Sequence, residues 1–147
     1  MTEPRSDSEE LLVAVDFSPC SMRALETALA RRGEHGEVTL LHVLDRALIR
    51  QVEALGLATA ESMLERMRTR AEETLASLAA EHGGERIETM VVVGEPFMEI
   101  VKIANDLDCD FIFVGIHGRE TGVAQLLFGG TAEKVVRGAN RPVECVP

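Results

Sequence analysis

The chain has 147 residues, 46% of them apolar, and a formal net charge of −10 at pH 7. That length suits one domain that buries about 68–70% of its unfolded surface. The acidic balance, with five Phe and no Tyr or Trp, argues against nucleic acid, which needs clustered Lys and Arg and stacking platforms.

The first ten residues, "MTEPRSDSEE", are polar and acidic. They lack the basic start and apolar middle of a secretory signal and read as a disordered lead, residues 1–10. Residues 11–147 then form a single domain. No run approaches the roughly 20 apolar residues of a membrane span, so a cytoplasmic chain without membrane insertion is expected.

The domain opens with "LLVAVDF", residues 11–17, a continuous apolar run ending in an acid. Such a run reads as a strand covered on both faces. Ser18-Pro19 follows as N-cap and first helical residue. Met22, Leu25, Ala28 and Leu29 carry that helix at spacings of three and four, to a stop near Gly33 and Gly36. "EVTLLHV", residues 37–43, is the second strand, in which His42 is read as facing a helix or solvent. A linker comes next, then a long amphipathic helix through Leu57, Ala60, Leu64, Met67, Ala71, Leu75 and Leu78, ended by Gly83-Gly84. The basic run within it, "ERMRTR", reads as a solvated helix face.

Residues 86–93 form the third strand, closed by Gly94. Pro96 opens a helix through Phe97, Ile100, Val101 and Ala104. Residues 110–115 form the fourth strand, a glycine-rich loop follows, and a helix lies around Ala132 and Val136. "RPVECVP" supplies the fifth strand, where Cys145 reads as packing. Alternating strands and helices predict an α/β fold, a Rossmann-like open five-stranded parallel sheet with helices on both faces. Ligand crevices in such sheets lie outside the carboxyl ends of the strands. Residues 16–18, 43–45, 94–96 and 115–131 should therefore meet.

Glycines between a strand and a helix let the backbone approach something closely. Gly129-Gly130-Thr131 leads into a helix whose N–H groups and dipole suit a phosphate. Gly115 and Gly118 are placed to act from the other side, and the alternative is a plain flexible connection. A small nucleotide is compatible with the acidic surface, because local backbone dipoles can outweigh the global field. Asp16 is either a site acid or a turn acid, His117 faces the crevice or solvent, and Arg119 contacts phosphate or water. Cys20, Cys109 and Cys145 are scattered, and neither they nor the four His show zinc spacing. No metal centre is expected.

The segments "VAVDFSP", "LLHV", "VGEP" and "VGIHGR…LLFGGTAEKVVRGANRPVECVP" together resemble the universal stress protein family over residues 11–147. Nucleotide-binding members of that family carry G-x-x-G, nine residues, then G-[ST]. The resemblance implies an adenine-nucleotide alpha hydrolase-like fold that binds ATP or AMP, with Mg2+ as an accompanying ion. Gly115-Ile116-His117-Gly118 matches the first half of the pattern. Ten residues, Arg119 to Phe128, then precede Gly129, Gly130 stands at the hydroxyl position, and Thr131 brings the hydroxyl one residue later. Ala14 stands where some members have proline, Asp16 where they have the acid of the first strand, and Val43 where backbone groups meet adenine. The resemblance also implies a homodimer through the last strand, residues 143–146.

Two functions from different classes follow. The first is a nucleotide-binding stress-response module that signals through a protein partner. Its hydrolysis would be slow at most, because the sequence carries no Walker-type lysine, arginine finger or evident base. The second is a nucleotide-free member acting through dimerisation and docking alone. An enzyme built on Cys20 ranks below both, because no histidine lies near it in sequence.

Overall fold

The computed structural model describes residues 8–117 and 130–147. The apolar runs form strands β1 (Glu10–Ala14), β2 (Glu37–Asp45), β3 (Ile87–Gly94), β4 (Phe111–Gly115) and β5 (Val143–Val146). All pairings are parallel, and the strand order is β3-β2-β1-β4-β5. The order reverses at β1, between β2 and β4, which makes the carboxyl end of β1 the switch point of the sheet.

Among the described residues five helices cover the sheet: α1 (Pro19–Arg31), α2 (Arg46–Ala54), α3 (Ala60–Glu81), α4 (Pro96–Asp106) and α5 (Gly130–Gly138). Successive strand residues point to opposite faces, and here both faces are dry. Leu11, Val13, Leu40 and Phe113 pack with Ala24, Leu25 and Ala28 of α1 and Leu75 of α3. Leu12, Leu41, Ile112 and Val114 pack with Ile100, Ile103 and Ala104 of α4 and with Ala132 and Val135 of α5. Burial on both sides is why these strands read as unbroken apolar runs rather than as alternating ones.

Local signals set the element ends. Ser18 caps α1, its Oγ accepting from Ser21 N at 3.3 Å. Gly83 and Gly84 end α3 with φ of +91° and +70°, conformations that glycine adopts without a side-chain penalty.

Two expectations are corrected. The first strand ends at Ala14 rather than Phe17, because Phe17 turns the chain with φ +65°. The stretch after β2, expected as a linker, is helix α2. Asp45 caps it by accepting from Ala47 N at 3.0 Å, and Ile49 is its buried anchor against Leu44 and Ala71. One buried residue in nine leaves too short an apolar period to signal a helix.

Candidate functional site

The β1–α1 turn is the most tightly determined part of the carboxyl end. Asp16 Oδ1 accepts from Ser18 N at 2.9 Å, and Asp16 N donates to Ser21 Oγ at 3.4 Å. Ser21 Oγ donates to Ser18 O at 3.0 Å. Between Asp16 and Ser18, Phe17 occupies the left-handed region at φ +65°, which is costly for a bulky residue. Asp16 is therefore a turn acid, and it also lines the crevice described below. Its part in the turn leaves it placed to meet a ligand as well.

The end of β2 brings in His42, expected to face a helix or solvent. Its Nδ1 lies 2.6 Å from the carbonyl of Val15, and its ring centroid is 4.8 Å from that of Phe17. A carbonyl accepts and never donates, so Nδ1 carries the hydrogen. Val43 lies beside it on the same rim. From α3, Met67, Arg70, Ala71 and Thr74 reach the same space. The run read as a solvated helix face thus supplies one exposed arginine to the crevice, while Arg68 donates to Val91 O at 3.3 Å. Among the described residues Arg70 is the one Lys or Arg lining the crevice. Neither His42 nor Arg70 could be placed from sequence, because each reaches the site through the packing of a separate element.

At the end of β4, Gly115 answers a different need from the one its motif implies. A Cβ there would lie 2.7 Å from Cys20 Cβ and 2.9 Å from both Cys20 C and Ser21 N. Glycine is required because the first turn of α1 packs onto the strand end. His117 follows, with a buried Nδ1 that has no hydrogen-bond partner among the described residues. Gly130 opens α5, and a Cβ added there would meet nothing within 4 Å among the described residues. Thr131 and Ala132, in the next two positions, line the crevice.

These turns enclose one cavity of about 610 Å³ at the switch point. Ala14, Asp16, Val43, Gly115, His117 and Thr131 all line it. Gly130 stands at the head of α5 outside that lining, and Gly118, Arg119 and Gly129 lie outside the described residues. The volume falls in the range of about 300–1,000 Å³ usual for small-molecule sites. Its walls combine apolar surface from Ala14, Leu41 and Ile100 with the carboxylates of Asp16 and Asp45, the guanidinium of Arg70 and two imidazoles. A ligand with a flat apolar part and several polar edges suits such a lining. The buried His117 Nδ1 is a polar group that such a ligand would satisfy.

The cysteines lie apart from this chemistry. Burial pushes the Cys109 thiol up to about 11, and burial likewise raises that of Cys145. Neither supplies a thiolate near neutral pH. Cys20 is buried and its Sγ accepts from Arg23 at 3.3 Å.

Comparison with known proteins agrees with this fold. The profile of the Universal stress protein family matches residues 8–147. A universal stress protein of Methanocaldococcus jannaschii is 31% identical over an alignment of 150 positions that covers 92% of each chain. Its solved structure superposes with a TM-score of 0.82 at 30% identity, covering 96% of both chains. A universal stress protein of Archaeoglobus fulgidus, solved in complex with dAMP, is 27% identical with a TM-score of 0.61, covering 95% of this chain and 98% of its own.

Proposed function

The chain belongs to the universal stress protein family, and from that premise we propose that it binds one adenine nucleotide, ATP or AMP, in the carboxyl-end crevice. The observation that carries this reading is the meeting of Ala14, Asp16, Val43, Gly115, His117 and Thr131 around one cavity. The dAMP complex of the Archaeoglobus fulgidus relative supports the ligand class.

In this reading Ala14 and Val43 bound the base, and Asp16 meets the ribose or an accompanying Mg2+. Thr131, near the head of α5, meets the phosphates, with Gly130 beside it, and Gly118, Arg119 and Gly129, outside the described residues, are the other expected phosphate contacts. Mg2+ has a physical reason to be there. Asp16 and Asp45 line the same cavity, and a polyphosphate beside two carboxylates is repelled unless a cation intervenes. Hydrolysis is slow at most, so the nucleotide acts as a signal that sets the stability or surface of the protein.

The signal is passed on in the cytoplasm by a homodimer to a regulatory protein partner. Strand β5 is an edge of the sheet, and an edge strand offers unpaired backbone groups to a second copy. Among the described residues no helix is long and apolar enough to cross a membrane.

A second reading has its own observation. Gly115 is required by the packing of α1, and Gly130 stands where nucleotide-binding members have a hydroxyl. A nucleotide-free member acting through dimerisation and docking alone would keep the first feature and have no use for the hydroxyl.

Calorimetric titration separates the two. With MgATP and with AMP, the first reading expects saturable heat below roughly millimolar nucleotide, where binding free energy is about −4 kcal/mol. No heat at that concentration, together with an intact dimer in sedimentation, establishes the second reading instead.

A further inference from the structure

The turn between β1 and α1 holds a bulky residue in a conformation that side chains disfavour, and a residue 25 positions further along meets it there. Phe17 at φ +65° is one of three non-glycine residues with positive φ among those described. Arg86 and Asp108, the other two, lie at the amino-end side of β3 and β4. Phe17 alone of the three borders the crevice. Left to itself, a phenylalanine in that region relaxes to negative φ, a change worth about 1–3 kcal/mol. Relaxation would disturb the turn that ties Asp16 Oδ1 to Ser18 N across Phe17, and with it the placing of the Asp16 carboxylate at the crevice.

His42 opposes that relaxation at two points. Its Nδ1–H donates to Val15 O at 2.6 Å, which holds the residue two before Phe17 against β2. Its ring packs on the Phe17 ring at 4.8 Å and 37°, which holds the strained residue itself. Both contacts come from one side chain on a neighbouring strand, and Val15 N is tied to the same strand by a 2.8 Å bond to Leu41 O. The clamp does not depend on the charge of the ring. Nδ1 carries hydrogen in the neutral tautomer required here and also in the imidazolium, so the bond to a carbonyl persists in both.

We propose that His42 is a positioning residue, which holds Phe17 in the left-handed region and so presets the Asp16 turn for the nucleotide. The proposal rests on the nucleotide reading of this crevice for its functional half. Preorganisation of this kind strengthens binding by removing the cost of ordering the turn when the ligand arrives.

The test is a double-mutant cycle read by two methods. In the first, MgATP is titrated into the wild type and into His42→Leu, His42→Asn, Phe17→Gly and the pair His42→Leu with Phe17→Gly. Leucine fills the space without a donor, whereas asparagine places an N–H near the position of Nδ1. His42→Leu should bind about tenfold more weakly, the equivalent of losing the preset turn, and His42→Asn should recover a large part of that loss. Glycine adopts positive φ without strain. The loss caused by His42→Leu should therefore shrink to about twofold or less in the Phe17→Gly background, a coupling that general destabilisation would not produce.

The second method is NMR of the nucleotide-free proteins, reading the couplings that report φ at Phe17. Positive φ should persist in the wild type and in His42→Asn and be lost in His42→Leu. Retention of positive φ in His42→Leu overturns the proposal, and so does unchanged MgATP affinity in that variant. If the wild type binds neither ATP nor AMP, the nucleotide reading fails by itself. The coupling measurement then still decides whether His42 sets the turn.

Discussion

The two ends of the parallel sheet are built in opposite ways. At the amino end the chain stitches itself shut. Glu10 N donates to Asp110 Oδ2 at 2.8 Å and Asp110 N donates back to Glu10 O at 2.8 Å. Glu37 N donates to Glu9 O at 2.8 Å and Val38 N to Arg86 O at 2.9 Å. At the carboxyl end the turns after β1, β2 and β4 diverge around a cavity of about 610 Å³. That end carries the strained Phe17 and a buried His117 nitrogen without a partner among the described residues. Backbone polar groups that satisfy one another leave nothing for a ligand, whereas a switch point sends neighbouring connections apart and leaves groups to be satisfied from outside. The charge pattern differs as well. Carboxylates crowd the closed end, and the open end mixes two carboxylates with a guanidinium and two imidazoles.

The largest expected effect tests whether the open end is also a packed one. Gly115→Ala forces a Cβ against backbone atoms of α1 at 2.9 Å, and backbone cannot yield as a flexible side chain does. The expected loss is about 3 kcal/mol of stability, the upper range for overpacking. That corresponds to a fall in Tm of roughly 6–12 °C for a domain of this size. Thermal unfolding without nucleotide measures it, and an unchanged Tm would return Gly115 to a purely ligand-facing role.

A smaller effect, in the opposite direction, is expected a few residues on. Gly130 has nothing within 4 Å of its Cβ position among the described residues, so Gly130→Ser fits without strain and restores the hydroxyl of nucleotide-binding members. A hydrogen bond to a charged phosphate contributes about 1.5–3 kcal/mol, so MgATP affinity should rise by roughly tenfold or more. Titration calorimetry reads the gain, and the Tm of the nucleotide-free protein should hardly move. Equal affinities would mean that the head of α5 does not reach the phosphates.

The smallest effect belongs to the closed end. Burial raises the Glu10 carboxyl above its ordinary range, with Glu37 and Asp110 adding to the shift. A carboxyl raised in the folded state favours folding while protonated, and that contribution is lost as pH rises through the folded-state value. At pH 7 the ionised Glu10 is therefore a net cost. Glu10→Gln should stabilise the protein there by a few tenths of a kcal/mol after solvent screening. The gain should vanish below the unfolded carboxylate value of about 4.3. Denaturant midpoints for both proteins at pH 7 and pH 4 give the comparison, and a gain that persists at pH 4 would assign the effect to packing instead.

Much of this architecture is legible in the residue order. Continuous runs such as Leu11–Leu12–Val13 mark strands buried on both faces, and Ser18, Pro19 and the Gly83-Gly84 pair mark helix ends through local geometry. Once the strands alternate with helices, the rule for carboxyl ends groups Asp16, Val43, Gly115 and Thr131 before any coordinate is known, and the family resemblance adds Ala14. Each of these inferences uses information carried within about one element of chain. Helix α2 escaped because Ile49 is its single buried residue.

The tertiary structure alone decided matters that join distant parts of the chain. The need for glycine at Gly115 comes from Cys20 and Ser21, almost a hundred residues earlier in the sequence. The tautomer of His42 comes from the Val15 carbonyl just past the end of β1, and Arg70 reaches the crevice only because α3 lies across the end of β2. The sequence by itself determined the strands, the described helices other than α2, their parallel arrangement and the end of the sheet at which a ligand would sit, because periodicity and capping act over a few residues. Which side chain meets which across that end depends on packing between elements, and packing is set by the whole core at once.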